Sequence, residues 1–90
     1  MEGAMMPPEE VTQRVIHAIA RSQRSDPAAI KPENTFQELG IDSLDGLNIV
    51  FELEEEFKID IPDDAARQFS SVEQAVQGVI ELLKKKTVAV

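Results

Sequence analysis

Three stretches of this chain place apolar side chains at the 3.6-residue spacing of an α-helix, and that repetition limits what it can fold into. Val11, Val15, Ala18 and Ile19 form the first stripe, widened by Ile16. Ile49, Val50, Leu53 and Phe57 form the second, and Val72, Ala75, Val76, Val79, Ile80 and Leu83 the third. A helix hides one stripe, so each of these needs the others as partners. Ninety residues make one domain with a small core. With no cysteine and only four aromatic residues (Phe36, Phe51, Phe57 and Phe69), that core is built of aliphatic side chains. The expectation is all-α: a small four-helix bundle of three longer helices and one short one.

Punctuation residues set the element boundaries. Pro7 and Pro8, followed by Glu9 and Glu10, open the first helix, where proline is tolerated and acids complement the positive end. That helix stops ahead of Asp26-Pro27. Residues 25–42 then form a long loop between helices 1 and 2, containing Pro27, Pro32 and Gly40. So long a connection needs anchors, and Ile30, Phe36 and Leu39 are the candidates, with a helical turn over Phe36–Leu39. The second helix runs from about Leu44 to Phe57, with Ser43 placed to cap it. Pro62 starts a short third helix through Arg67. Ser70 with Glu73, or Ser71 with Gln74, offers a capping box for the fourth, and Lys84–Lys86 suit its C-terminus.

The second helix carries more apolar residues than one core can use. At about 100° per residue, Ile49, Val50, Leu53 and Phe57 fall on one side of the wheel. Leu44, Leu47 and Phe51 fall nearly opposite. The longer stripe faces the interior, which leaves Leu44, Leu47 and Phe51 outside, flanked by Glu54 and Glu55. Exposed apolar residues rimmed by charge mark a docking face.

Charge is concentrated on the same region. The chain carries −8, but residues 33–64 hold eleven acids against the single base Lys58. Basic protein partners are drawn to such a surface, and nucleic acid is repelled. No apolar run is long enough for a membrane span. The absence of cysteine and of a secretory signal points to the cytoplasm.

Within the acidic region, Leu39-Gly40-Ile41-Asp42-Ser43-Leu44-Asp45 is followed by Leu53-Glu54-Glu55-Glu56-Phe57 and Ile61-Pro62-Asp63. These three motifs together closely resemble the acyl carrier proteins of fatty acid and polyketide synthesis, and the resemblance extends from Glu10 to Lys84. It implies that Ser43 carries a 4′-phosphopantetheine arm taken from coenzyme A, with Asp42 and Leu44 completing the attachment motif. It also implies that Leu44, Asp45, Leu47, Phe51, Glu54 and Glu55 are read by partners. Those partners are a phosphopantetheinyl transferase and acyl-loading and synthase enzymes with basic docking patches. Two positions depart from the family pattern. Asn48 stands where glutamate is typical, and Gly46 where threonine, alanine or serine is frequent, which leaves room for a specialised lipid or polyketide pathway.

Intrinsic catalysis finds no support in the residues. A serine nucleophile needs a base and an oxyanion site. The single histidine, His17, falls off the first apolar stripe and reads as a solvated helix position. Asp42, Asp45 and Gly46 fail the spacing of a calcium loop, because Leu44 stands where a ligand belongs. The chain therefore reads as a carrier and not an enzyme, with a peptidyl or aminoacyl carrier or a non-carrier helical interaction domain as alternatives. Peptidyl carriers usually have a second glycine where this chain has Ile41, which favours an acyl cargo. The expected organisation is a disordered leader or cloning remnant over residues 1–6, a monomeric carrier domain over 7–86 and a frayed tail over 87–90.

Overall fold

A computed structural model describes residues 7–88 and consists of helices joined by one long and two short connections. Helix α1 spans Pro8–Gln23, α2 Ser43–Phe57, α3 Asp63–Arg67 and α4 Val72–Val88. A one-turn 3-10 helix, Pro27–Ala29, interrupts the connection between α1 and α2. The expected four-helix architecture and the long loop are both present. Helix α4 continues through Thr87 and Val88, past the expected domain end at 86. The proposed leader, 1–6, and residues 89 and 90 lie outside the described residues. Among the described residues no helix is long and apolar enough to cross a membrane.

Helix α1 is the hub against which both α2 and α4 pack. Its sequence explains why: Val11, Val15, Ile16, Ala18, Ile19 and Ala20 are all buried, a broad stripe able to meet two neighbours. Ile49 and Leu53 of α2, and Val72, Ala75 and Val79 of α4, are fully enclosed against it. Short Ala18 and Ala75 let the backbones approach, and the branched residues fill the space between.

Two ends of helices are closed by non-glycine residues in the left-handed region, Arg24 (φ 54°) and Lys58 (φ 56°). The Lys58 N–H returns to the Glu54 carbonyl, and the Arg24 N–H to those of Ala20 and Arg21. Each such residue costs about 1–2 kcal/mol, which the satisfied helix carbonyls and the burial beyond each cap offset.

The long loop is held by backbone as well as by side chains. Ile30 and Phe36 are buried and Leu39 is half-buried, so all three expected anchors pack inward, and Ile41 is a fourth. Thr35 and Glu38 form a reciprocal box: Glu38 Oε1 accepts from the Thr35 N–H at 2.9 Å, and Thr35 Oγ1 accepts from the Glu38 N–H at 3.0 Å. This fixes the turn over Phe36–Leu39. The loop then pairs with the start of α4 through an isolated antiparallel bridge between Thr35 and Ser71. The Phe36 N–H donates to the Ser70 carbonyl and the Val72 N–H to the Asn34 carbonyl, both at 3.0 Å. Of the two capping pairs considered, Ser71 with Gln74 forms, with Ser71 Oγ accepting the Gln74 N–H. Gln74 Oε1 turns back to the Ser70 N–H at 2.9 Å.

Candidate functional site

Chain entry into α2 is fixed by residues on either side of Gly40. The Ile41 side chain is buried and its N–H donates to the Phe36 carbonyl at 2.9 Å, which closes the preceding turn. Gly40 sits at φ +74°, a conformation that glycine adopts without steric cost. With Ile41 pinned, Asp42 becomes the last extended residue, and its Oδ1 accepts the Asp45 N–H at 2.9 Å. Its carbonyl accepts the Gly46 N–H at 2.8 Å, the first bond of the helix. The cap is therefore Asp42, and the expectation that Ser43 caps α2 is corrected by one residue. Aspartate and serine cap comparably well, so the burial of Ile41 decides between them.

The shift leaves the Ser43 hydroxyl uncommitted. Ser43 is exposed at the first position of α2, and among the described residues no side chain or backbone group hydrogen-bonds its Oγ. It stands at the positive end of a fifteen-residue helix, which favours an anionic group there.

Beside Ser43 a groove of about 910 Å³ opens between α2, α3 and the long loop. Gly46 and Val50 line it from α2, Ala66 from α3, and Phe36, Ile41 and Phe69 from the connections. A Cβ built on Gly46 would meet nothing within 4 Å. The groove exists because α3 is short and packs only lightly, with none of its residues buried. Of these lining residues the sequence marked Gly46 as a departure from the family pattern, but it gave no reason to gather Val50, Ala66 and Phe69. The Thr35-x-x-Glu38 spacing is the local sequence signal for the loop wall.

Outside the groove, the second apolar stripe of α2 is exposed as expected. Leu44 is 72% exposed, Leu47 52% and Phe51 59%. Their opposite numbers Ile49, Leu53 and Phe57 are at most 4% exposed, so the two faces of one helix differ completely.

The acids of α2 divide into two sets. Glu52 and Glu56 face α1, where Arg21 Nη2 lies 3.1 Å from one and 3.2 Å from the other. Arg14 bridges Glu56 at 2.9 Å and Glu10 at 3.2 Å. Hydrogen bonds to Glu56 first, and Glu52 second, hold the Arg21 proton more tightly than usual. Arg21 is half-exposed, so these are surface pairs worth about 0–1 kcal/mol each. Glu54 Oε2 accepts the Ile61 N–H at 2.8 Å, which ties the end of α2 to the chain leading into α3. Glu55 is exposed. Of the residues expected to meet partners, Leu44, Leu47, Phe51 and Glu55 thus lie open, Asp45 is half-buried, and Glu54 has a structural bond to maintain.

Comparison with known proteins bears on the same residues. The model of one family, described as a phosphopantetheine attachment site, matches residues 13–79. Acyl carrier protein 2, mitochondrial, of Arabidopsis thaliana is 40% identical over 77 residues, covering 84% of this chain and 61% of its own length. The mitochondrial acyl carrier protein of Dictyostelium discoideum is 38% identical over 68 residues, covering 76% of this chain and 57% of its own. The chain thus spans about three fifths of the length of these curated relatives. Both relatives are mitochondrial, which overturns the expectation of a cytoplasmic protein. The physical reason is plain: cysteine content says nothing about which reducing compartment a domain occupies, and organelle addresses are read by receptors from segments that need not belong to the folded core.

Proposed function

The chain belongs to the phosphopantetheine attachment family, and from that premise we propose that it is an acyl carrier protein modified at Ser43. The observation that carries this reading is the free Ser43 hydroxyl, exposed beside an apolar groove. A residue that receives a group from another enzyme must be reachable and unencumbered, and the Asp42 cap leaves it so. The cofactor fits the residues present. Ser43 Oγ would hold the phosphate, the α2 N-terminus would favour its charge, and the open space at Gly46 leaves room for the arm.

When bound, the cofactor supplies a terminal thiol that carries acyl groups as thioesters. The protein's own contribution is to bind, shelter and present. Val50, Ala66 and Phe69 offer an apolar wall to an acyl chain, where each buried CH₂ is worth about 0.8 kcal/mol. Leu44, Leu47 and Phe51, with Asp45 and Glu55 beside them, form the face read by the transferase and by acyl-loading and synthase enzymes with basic patches. Asp42 acts here through the helix cap. Glu54 serves the docking face by fixing the turn behind it. The protein acts as a monomeric carrier without catalysis of its own, its domain running from residue 7 to the end of α4. The similarity to mitochondrial carriers supports a role in mitochondrial fatty acid synthesis.

Intact mass after incubation with coenzyme A and a broad-specificity phosphopantetheinyl transferase tests the reading. One arm should be gained, peptide mapping should place it on Ser43, and Ser43→Ala should gain none while melting close to the parent. An arm mapped to Ser22, Ser25, Ser70 or Ser71 would refute the assignment. A chain left unmodified by several transferases would favour the pure interaction domain.

A further inference from the structure

Phe69, between α3 and α4, lines the groove and at the same time sets one edge of its ring against α4 with almost no room to spare. A Cβ built on Gly78 of α4 would fall 2.4 Å from Phe69 Cε1 and 2.7 Å from Cζ. Side-chain carbons do not approach that closely, so the ring edge occupies the volume that any other residue at position 78 would fill. Glycine in mid-helix weakens a helix relative to alanine. At Gly78 the backbone is ordinary helix, with no left-handed angle to demand glycine. The demand comes from the ring.

We infer that Gly78 is a specificity-determining residue: it forms a recess in α4 that seats the Phe69 ring, and the seated ring sets how long an acyl chain the groove accepts. The inference rests on the reading of the groove as an acyl site. With alanine at 78 the ring must retreat by about 1 Å to regain ordinary contact distance. Behind it stands α4, and ahead of it is the open volume bounded by Val50 and Ala66. A ring moved off α4 therefore narrows the groove. Removing the ring does the reverse, because the recess at Gly78 then joins the groove.

The test uses the 90-residue chain, loaded with phosphopantetheine or with butanoyl to dodecanoyl phosphopantetheine in two-carbon steps. The readout is the rise in Tm of each acylated form over the unacylated form of the same variant, which cancels any uniform change in stability. In the parent, the rise should grow with chain length and then level off. Gly78→Ala should level off at least one step earlier, and Phe69→Ala at least one step later. The double variant should return to the parental length or beyond, since alanine at 78 then meets no ring. Superimposable profiles for the parent, Gly78→Ala and Phe69→Ala would overturn the inference while leaving the groove an acyl site. If Gly78→Ala does not fold, Phe69→Ala and Phe69→Leu decide, and an unshifted profile in both overturns it. No rise at any length in the parent would remove the acyl site itself, and the inference with it.

Discussion

Helix α2 has a different neighbour on each flank, and the two contacts follow different physical rules. Toward α1 it presents Ile49 and Leu53, fully enclosed, and Glu52 and Glu56, paired with Arg14 and Arg21. Toward α3 it presents Gly46 and Val50 across an open groove, with no residue of α3 buried. The first contact maximises packing, which gives the domain its stability. The second withholds packing, and a domain this small can do so only because the first is tight. One helix is thereby both a structural wall and the edge of a binding site.

Truncating the tight side should have the largest effect on this contrast. Leu53→Ala removes a fully buried side chain and should cost about 2–5 kcal/mol, read as a lower midpoint in urea. A loss below 1 kcal/mol would mean that the α1–α2 contact is as pliable as the groove.

Adding volume sharpens the same comparison. Ala18→Val overfills a site with no exposed surface and should cost about 1–3 kcal/mol. Ala66→Val adds the same two methyl groups beside the groove and should stay within about 0.5 kcal/mol. Thermal melts of the two variants side by side make the measurement, and equal losses would break the distinction between the flanks.

The smallest expected effects separate charges used inside the domain from charges offered outside. Glu54→Gln weakens a charge-assisted bond to the Ile61 N–H and should cost about 1 kcal/mol. Glu55→Gln should leave the melting temperature unchanged. Glu55→Lys should slow arm transfer from coenzyme A, and the difference should shrink as salt rises. Equal slowing by Glu9→Lys on α1 would argue against a localised docking face.

Much of this was readable from local pattern. Apolar spacing placed α1, α2 and α4, and the wheel of α2 separated Leu44, Leu47 and Phe51 from Ile49, Leu53 and Phe57, as their exposures bear out. The candidate serine and its neighbouring motifs pointed to the family that the comparison then matched. What escaped were contacts between residues far apart in the chain. The charge count treated the acids of residues 33–64 as one surface, yet arginines of α1 claim Glu52 and Glu56, and the Ile61 N–H claims Glu54.

The sequence by itself determined the helices, the side of α2 that would be hidden, and the serine at its start, because each follows from periodicity and motifs within a few turns of chain. Only the tertiary structure decided which residue caps α2, since Asp42 and Ser43 are matched as caps and the burial of Ile41 chooses between them. It alone joined Asn34 and Phe36 to the start of α4. It also showed why position 78 is glycine, by setting the edge of the Phe69 ring where a Cβ would stand. Periodicity records which way a residue faces relative to its own helix axis, but the volume of a groove depends on how far apart two elements stand, and that distance is fixed by packing across the whole domain.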